Sequence, residues 1–525
     1  MPDLKADVLI IGGGLAGLEA AWAVVNAGKK PVIVTKGAAA SPAVLGFNAA
    51  VSDADSVERF AKDTYKGGWE LGEPVLVRVF AEESSETVPH MESLGMTFEQ
   101  KEKGEYHLLQ PLGCSLPRLV HHRNITGQKS MEVLRNWLFD RGVVIQEHTM
   151  AAQLIKHEGR VCGATCLDLD GGEPFIITAG AVVLATGGAS VMKNSTYPLC
   201  QTADGYAMAW EAGAVLQDME FVQHEPCRAV WPKLLGISTT LLAKGGRLTN
   251  RLGERFLLKH YPSEGAVPKD LLARLIAVEV KEGRGSEHGG VYLDLTELPE
   301  EEIKVNHVLY YDRFMNAGID LTKEIVEVGP AAHSIMGGVR ITPDGYTGVP
   351  GLYAAGEVIG GLHGANRLGG NAGAEVYVFG RRAGAAAARE CAQIPEVNSA
   401  EAMRLFAYDE KAAETNWEAA KEAVRLVIAK AAAPVRNEET LAEALEKLID
   451  MMKAFEASVP NSLTAVRLRL EALHLCRTAI LIAEGALNRR ESRGVHYRED
   501  YPAIDNDKWK KHIRFQKDAG MTLGE

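Results

Sequence analysis

Three glycines in the run IIGGGLAG, at Gly12, Gly14 and Gly17, are spaced for contact with a pyrophosphate. The first permits a tight turn, the second lets backbone amides approach the phosphates, and the third lets a helix pack closely against a strand. A helix opening at that point favours the anion through its unpaired amides. The chemistry is dinucleotide binding, and Gly13 and Ala16 lie in the same turn. A glycine-rich turn that binds nothing is the plain alternative. The apolar strand before the glycines and the helix after them argue against it. At the end of the next strand, where a carboxylate would commonly hold an adenosine ribose, the chain has Thr35-Lys36.

These residues need a frame. Asp7 to Ile11 reads as a strand, Leu15 to Ala27 as a helix ended by Gly28, and Pro31 to Thr35 as a second strand, together one βαβ unit. Gly180 to Ala185 runs into Thr186-Gly187-Gly188, and Gly351 to Ala355 runs into Gly356-Glu357. Three strand-to-glycine junctions so far apart predict one sheet built from distant pieces, with an insertion over residues 228–328. From residue 396 the pattern turns helical, with 3.6-residue spacing over Ala400 to Ala433, Glu438 to Ala457 and Ser462 to Asn488. The expected units are therefore residues 1–227 and 329–395 for a nucleotide-binding α/β domain, 228–328 for an inserted α+β domain, and 396–525 for a helical domain.

Composition narrows the functions. With 525 residues, 46% of them hydrophobic, the chain can bury a large core and is no small binding module. Fifty-seven basic against 69 acidic residues give a net charge of -12, and no long basic block offers a track for phosphates, so a nucleic-acid partner is not expected. The seven scattered cysteines form no C-x-x-C pair or haem motif, which predicts a reducing, cytoplasmic setting and no cluster ligands on this chain. No apolar run reaches the roughly 18 residues that would predict a membrane span.

The stretches VLIIGGGLAGLEAA, VVLATGGAS, TADGYAMAWEAGAVLQDMEFVQ, AHSIMGG, GLYAAGEVIGGLHGANRLGGNA and ESRGVHYREDYP resemble the flavoprotein subunit of succinate dehydrogenase and fumarate reductase. That superfamily also includes L-aspartate oxidase and the adenylylsulfate reductase flavoprotein. The resemblance implies a Rossmann-like FAD-binding domain carrying a capping domain and a C-terminal helical domain. It implies cofactor contacts at Gly12, Gly13, Gly14, Ala16, Gly17, Lys36, Thr186, Gly187, Asp204, Glu357, Arg367, Asn371 and Ala372. For Asp204 a helix cap, and for Glu357 a solvated turn acid, are the structural alternatives. Some relatives attach FAD through a histidine in a segment like S-H-T-x-A-A-Q-G-G. Ser41 to Asn48 holds no histidine, so the flavin is expected to be noncovalent.

On the substrate side the resemblance implies His333, before a glycine pair, and Arg367 as groups that fix an anion, with Lys269 where relatives carry a proton-transferring arginine. Lysine can donate a proton but lacks the planar fork that grips a carboxylate. Glu225 stands in Gln223-His224-Glu225-Pro226, where relatives have a substrate-binding histidine. At about 4 Å and an effective dielectric near 20, like charges repel by roughly 4 kcal/mol, so Glu225 would oppose an anion unless protonated or paired. The relatives' Glu-Arg relay is also missing from Ser238 to Gly246. The expectation is an FAD oxidoreductase acting on a small organic acid or related substrate other than succinate or fumarate, exchanging electrons with an iron-sulfur or other redox protein. Amine oxidation as in L-aspartate oxidase, sulfur chemistry as in adenylylsulfate reductase, and a non-catalytic electron-transfer role remain open. The ESRGVHYR segment is expected to dock the helical domain on the flavin domain.

Overall fold

The computed structural model describes residues 3–101, 104–111 and 113–524. Leu4–Ile11 forms a strand in which Val8, Leu9 and Ile10 are fully buried, as required where helices cover both faces of a parallel sheet. It pairs in parallel with Pro31–Val34 on one side and Pro174–Leu184 on the other, and Leu352–Ala354 lies parallel to the latter. Ile11 is opposite Leu184, and Leu184 is opposite Ala354. The three strands, distant in sequence, therefore end together, and the glycine turns that follow them gather along one edge. Ligands of open α/β sheets bind at such an edge.

The Leu15–Asn26 helix packs on the Asn371–Glu390 helix through small residues. A Cβ on Gly384 would lie 2.3 Å from the Ala20 carbonyl oxygen, so the backbones meet at a distance only glycine allows. Asn371 and Ala372 thus open a helix wedged against the one that follows the first glycine turn.

The insertion carries an antiparallel sheet in the order Leu235–Gly236, Val222–Trp231, Val326–Ile335, Val291–Asp294 and Arg247–Thr249. Its apolar core, including Cys227, Leu241, Leu272, Ile276 and Val328, is separate from the core of the large sheet. The two long strands cross the expected boundaries at 227/228 and 328/329, so the capping sheet grows directly out of the flavin domain. The Lys269–Lys281 helix packs on the Val222–Trp231 strand.

Of the three expected C-terminal helices, two run over Glu438–Ala457 and Leu463–Asn488, but the first is broken: Ser399–Ala402 and Met403–Phe406 are short helical turns, and the long helix begins only at Trp417. The Asn416 side chain accepts the Ala419 amide at 3.0 Å and caps it there, while residues 407–416, rich in charge and poor in apolar spacing, form a loop. The end of the chain is a β-hairpin, His512–Gln516 with Gly520–Gly524, whose first strand pairs with Leu216–Gln217. The helical domain is thus tied to a separate small sheet, in which Leu216–Gln217 also pairs with Gly338–Arg340, by a strand that its helical periodicity does not foretell.

Candidate functional site

The glycine turn is shaped by what surrounds it. Gly12 has φ +124°, and a Cβ there would sit 2.0 Å from the Ala185 carbonyl oxygen at the end of the neighbouring strand. At Gly17 a Cβ would lie 1.9 Å from the Gly12 carbonyl oxygen, so the helix can start against the turn only if that residue has no side chain. Gly13 faces Thr35 and Gly14 faces Ser41. Ser41 Oγ accepts the Leu15 amide at 3.0 Å, joining the start of the helix to a segment 26 residues later. Ala16 lies under Gly356, whose added Cβ would come within 2.8 Å of the Ala16 methyl group. Thr186 and Gly187 stand across the turn; Thr186 Oγ1 is buried with no hydrogen-bond partner, an orphan on the inner wall of the crevice. A side-chain-free cradle beside a free buried hydroxyl fits a dinucleotide.

Lys36 and Asp204, 168 residues apart, meet. Lys36 Nζ donates to Thr202 Oγ1 at 2.6 Å and pairs with Asp204 and Glu471, each at 2.9 Å. His474 Nδ1 reaches the other Asp204 oxygen at 2.8 Å, and Lys421 takes the second Glu471 oxygen at 2.7 Å. Burial alone would push the Asp204 carboxyl up, but Lys36 and His474 outweigh it and hold the carboxyl well below the usual carboxylate range. Burial likewise works against the Lys36 ammonium, and Asp204 with Glu471 nevertheless raises it. Asp204 is the first residue of a helix, Asp204–Glu211, so its charge also suits the helix N-terminus.

Glu357, at the third junction, turns inward. It accepts from the Tyr197 hydroxyl, from Ser334 Oγ at 2.8 Å and from the Ile335 amide at 3.2 Å. Burial raises its carboxyl above the ordinary value despite these donors and nearby Arg367. Ser334 and Ile335 follow His333 directly, so this acid ties the third glycine junction to the strand that carries His333.

His333 Nδ1 lies 2.9 Å from Thr196 Oγ1. Its deep setting, then the cations Lys269 and Arg367, drive its imidazole well below the ordinary histidine value, leaving it neutral. Glu225 and Lys269 form an ion pair, with the carboxylate on the Val222–Trp231 strand and the ammonium on the first residue of the Lys269–Lys281 helix. Tyr310 is close enough to Glu225 for the carboxylate, after burial, to raise its hydroxyl. Arg367 is held by its backbone, whose carbonyl accepts from Gln223 Nε2 at 2.9 Å. Its Nη2 reaches Gln223 Oε1 only at 3.4 Å, its buried Nε has no acceptor, and no carboxylate lies within ion-pair distance among the described residues. A guanidinium left with open donors marks an anion site.

Asn371 is engaged elsewhere: its Oδ1 accepts from Asn48 at 2.7 Å and its Nδ2 donates to Thr64 at 3.2 Å, pinning the first turn of its helix beside Ala372. Sequence reasoning passed over Ser41, Glu471, His474, Tyr197 and Ser334. Ser334 lies within AHSIMGG and Ser41 opens the Ser41 to Asn48 stretch, but Glu471 and His474 sit on a helix whose apolar spacing conceals them. No group of three or more metal-ligating side chains occurs among the described residues.

The ESRGVHYR segment is buried and closely engaged. Arg489 pairs with Glu220 at 2.5 Å and with Glu491 at 3.3 Å; Arg493 pairs with Glu491 at 2.7 Å. His496 accepts from Arg436 at 2.8 Å, and the Val495 amide donates to the Ala365 carbonyl at 3.0 Å. Ala365 lies two residues before Arg367.

Residues 7–372 match the FAD binding domain family, and residues 421–524 match the fumarate reductase flavoprotein C-terminal family. The chain is 36% identical to a fumarate reductase (CoM/CoB) subunit of Methanothermobacter marburgensis, over 97% of this chain and 96% of that protein. It is 31% identical to the L-aspartate oxidase of Vibrio cholerae, over 95% and 96% respectively. A flavoprotein structure of E. coli quinol fumarate reductase superposes with a TM-score of 0.91 at 29% identity, covering 100% of this chain and 96% of that one.

Proposed function

The chain belongs to the fumarate reductase and succinate dehydrogenase flavoprotein family of FAD-dependent oxidoreductases, and we propose that it oxidises or reduces a small organic acid other than succinate or fumarate. The observation that carries this reading is the company Arg367 keeps. An open guanidinium, a neutral histidine and a Lys269–Glu225 ion pair converge beside the nucleotide cradle, while the relatives' relay is absent. FAD, when bound, supplies hydride exchange. Gly12, Gly14 and Gly17 would carry its pyrophosphate, with Thr186, Asp204 and Glu357 lining its path.

Arg367 orients the acid through its guanidinium fork. His333 donates or accepts one hydrogen bond from the ring nitrogen not turned to Thr196. Lys269, paired with Glu225, can hold a proton at Nζ. Glu225 could instead face a substrate ammonium, as the amine-oxidising alternative requires. Lys269 already takes that carboxylate, which favours the acid substrate.

The flavin is noncovalent in this reading, since Ser41 to Asn48 offers no histidine. Acid precipitation should release the yellow colour; colour that stays with the denatured pellet overturns the point. A separate redox protein exchanges the electrons, because the sequence contains no cluster or haem motif. No helix of the described residues is long and apolar enough to cross a membrane, and a cytoplasmic site of action is part of the proposal. The test is anaerobic: purified yellow protein is mixed with small organic acids, fumarate and succinate included, and flavin bleaching or recolouring is followed. Turnover of fumarate or succinate at about 1 to 1,000 per second sinks the substrate reading. Rapid reoxidation by air with stoichiometric peroxide sinks the partnered one.

A further inference from the structure

We propose that Arg228 is a second anion anchor of the substrate cleft, and that the substrate carries two acid groups set further apart than those of succinate or fumarate. The inference rests on the functional reading above and names a residue that decides which acid is taken.

Two antiparallel strands carry the wall on which Glu225 and His333 stand. Ala331 is opposite Glu225 and Gly329 is opposite Arg228, and residues opposite one another share a face of the sheet. Side chains alternate along a strand, so Gly329, Ala331 and His333 belong to one face, while Val326 and Val328 belong to the other and enter the core of the insertion. Glu225 and Arg228 are three positions apart and would face opposite ways on a regular strand. The bulge at Pro226 and Cys227 absorbs the odd residue. His333, Glu225 and Arg228 therefore stand in line on one face, at steps of about 7 Å. Opposite Glu225 and Arg228 are only an alanine and a glycine, so no large side chain divides the row.

Arg228 is half-buried, and its guanidinium has met only neutral acceptors. It donates to the Ser195 carbonyl, to Asn194 Oδ1 at 3.2 Å and to the Leu234 carbonyl at 3.4 Å. Burial lowers it below the ordinary arginine value, and no acid offsets the effect. Thr196, in the same short strap of chain, meets His333 at 2.9 Å, so three consecutive residues set Arg228 and His333 relative to each other. The acids nearby are engaged or face elsewhere. Glu225 pairs with Lys269, Glu327 accepts from the amide of His288 and meets its ring, and Glu357 is taken by Tyr197, Ser334 and Ile335. Asp270 and Arg274 line a small cavity with His224, which is opposite Ala332 and so lies on the other face of the strand.

Arg367 stands at the far end of the row, fastened to Gln223. An acid held by both arginines lies across the Glu225–Lys269 pair, with its middle carbons beside the ammonium that would exchange a proton with them. A four-carbon diacid reaches one guanidinium at a time. A longer one reaches both, and each planar fork can take a carboxylate through two N–H bonds. If Arg228 only stapled the strap to the strand, its loss would lower stability and leave the preference among acids as it was.

The experiment uses the flavin-loaded protein and measures direct binding, by calorimetry and by perturbation of the flavin absorbance. Succinate, glutarate and adipate are compared with hexanoate, a monoacid as long as adipate. Adipate should bind at least about tenfold more tightly than either succinate or hexanoate. Arg228→Gln and Arg228→Ala should bring the adipate-to-hexanoate ratio to within about threefold of one, and Arg228→Lys, which keeps the charge without the fork, should restore part of the margin. Flavin content and melting temperature establish that each variant is folded, and the preference of the unmodified protein among the four acids is decided without any variant. Succinate binding as tightly as adipate, hexanoate binding as tightly as adipate, or a ratio that survives in folded Arg228→Gln overturns the inference. Failure of the functional reading is a different result, bound flavin that responds to no small acid under any redox condition.

Discussion

Two arginine-histidine clusters in this molecule use the same side chains to opposite ends. Around Arg489, the guanidinium is met by Glu220 and Glu491, and Arg493 and His496 complete the network in a region from which water is excluded. One Glu220 oxygen is left over there, but the charge it belongs to is paired. Around Arg367, the guanidinium keeps a buried donor with no acceptor, and His333 leans on one threonine. A cluster of paired charges has little to offer a ligand, and its worth is in holding two domains in register. An unpaired cation is a standing cost to the folded state that a ligand can relieve. Residue type alone does not separate the two; whether the arginine has met its counter-ion does.

The contrast can be broken most sharply at Arg489. Arg489→Met leaves Glu220 and Glu491 buried without their cation and should cost about 3–5 kcal/mol of stability in urea or thermal unfolding. Arg367→Lys should instead leave the melting temperature nearly unchanged while lowering substrate kcat/KM by about a hundredfold or more, near 3 kcal/mol, since an ammonium cannot imitate the fork. If both variants lose stability and activity together, the division between the clusters fails.

Asp204 sharpens the comparison from a third position, a proposed cofactor residue that is itself fully paired. Its folded carboxyl is depressed below the ordinary value by Lys36 and His474 against the effect of burial. Its contribution is therefore present above the unfolded carboxyl value of about 3.9 and is lost as pH falls through the folded value. Asp204→Asn should remove about 1–3 kcal/mol at neutral pH and flatten the acid limb of the stability profile below about pH 4. An acid limb identical in the variant would show that this carboxylate is not linked to folding. The smallest effect is expected at Ser41. Losing its bond to the Leu15 amide in Ser41→Ala should cost about 0.5–2 kcal/mol and be visible as faster flavin loss on dilution.

The glycine junctions and the parallel sheet were legible in the sequence because each is a local pattern, an apolar run broken by residues that only a tight turn needs. Arg367 and His333 were legible through the resemblance, their neighbouring glycines marking the place. The pairing of Glu225 with Lys269 was not, although both residues were singled out: they are 44 positions apart, and only the packing of a helix on a strand brings them together. The same holds for Glu471 and His474, which reach Lys36 and Asp204 from a helix whose visible signal is its apolar face. The helix expected from Ala400 was misread because alanine-rich charged sequence has helical propensity without the apolar stripe that would anchor it. The terminal hairpin has short strands, and two of its apolar residues, Met521 and Leu523, face outward.

The hydrogen bond from Val495 to Ala365 sets an order of events during biosynthesis. Residues 3–184 hold the first glycine turn and most of the large sheet, and domains fold as units from the N-terminal end as the chain emerges from the ribosome. The loop bearing Arg367 is clamped from outside by Gly494 and Val495, where a Cβ on Gly494 would lie 2.2 Å from the Ala365 carbonyl oxygen. A nascent chain released before residue 489 would thus lack the contact that holds the loop bearing Arg367. The clamp therefore makes the seating of the Arg367 loop depend on residues that are translated near the end of the chain.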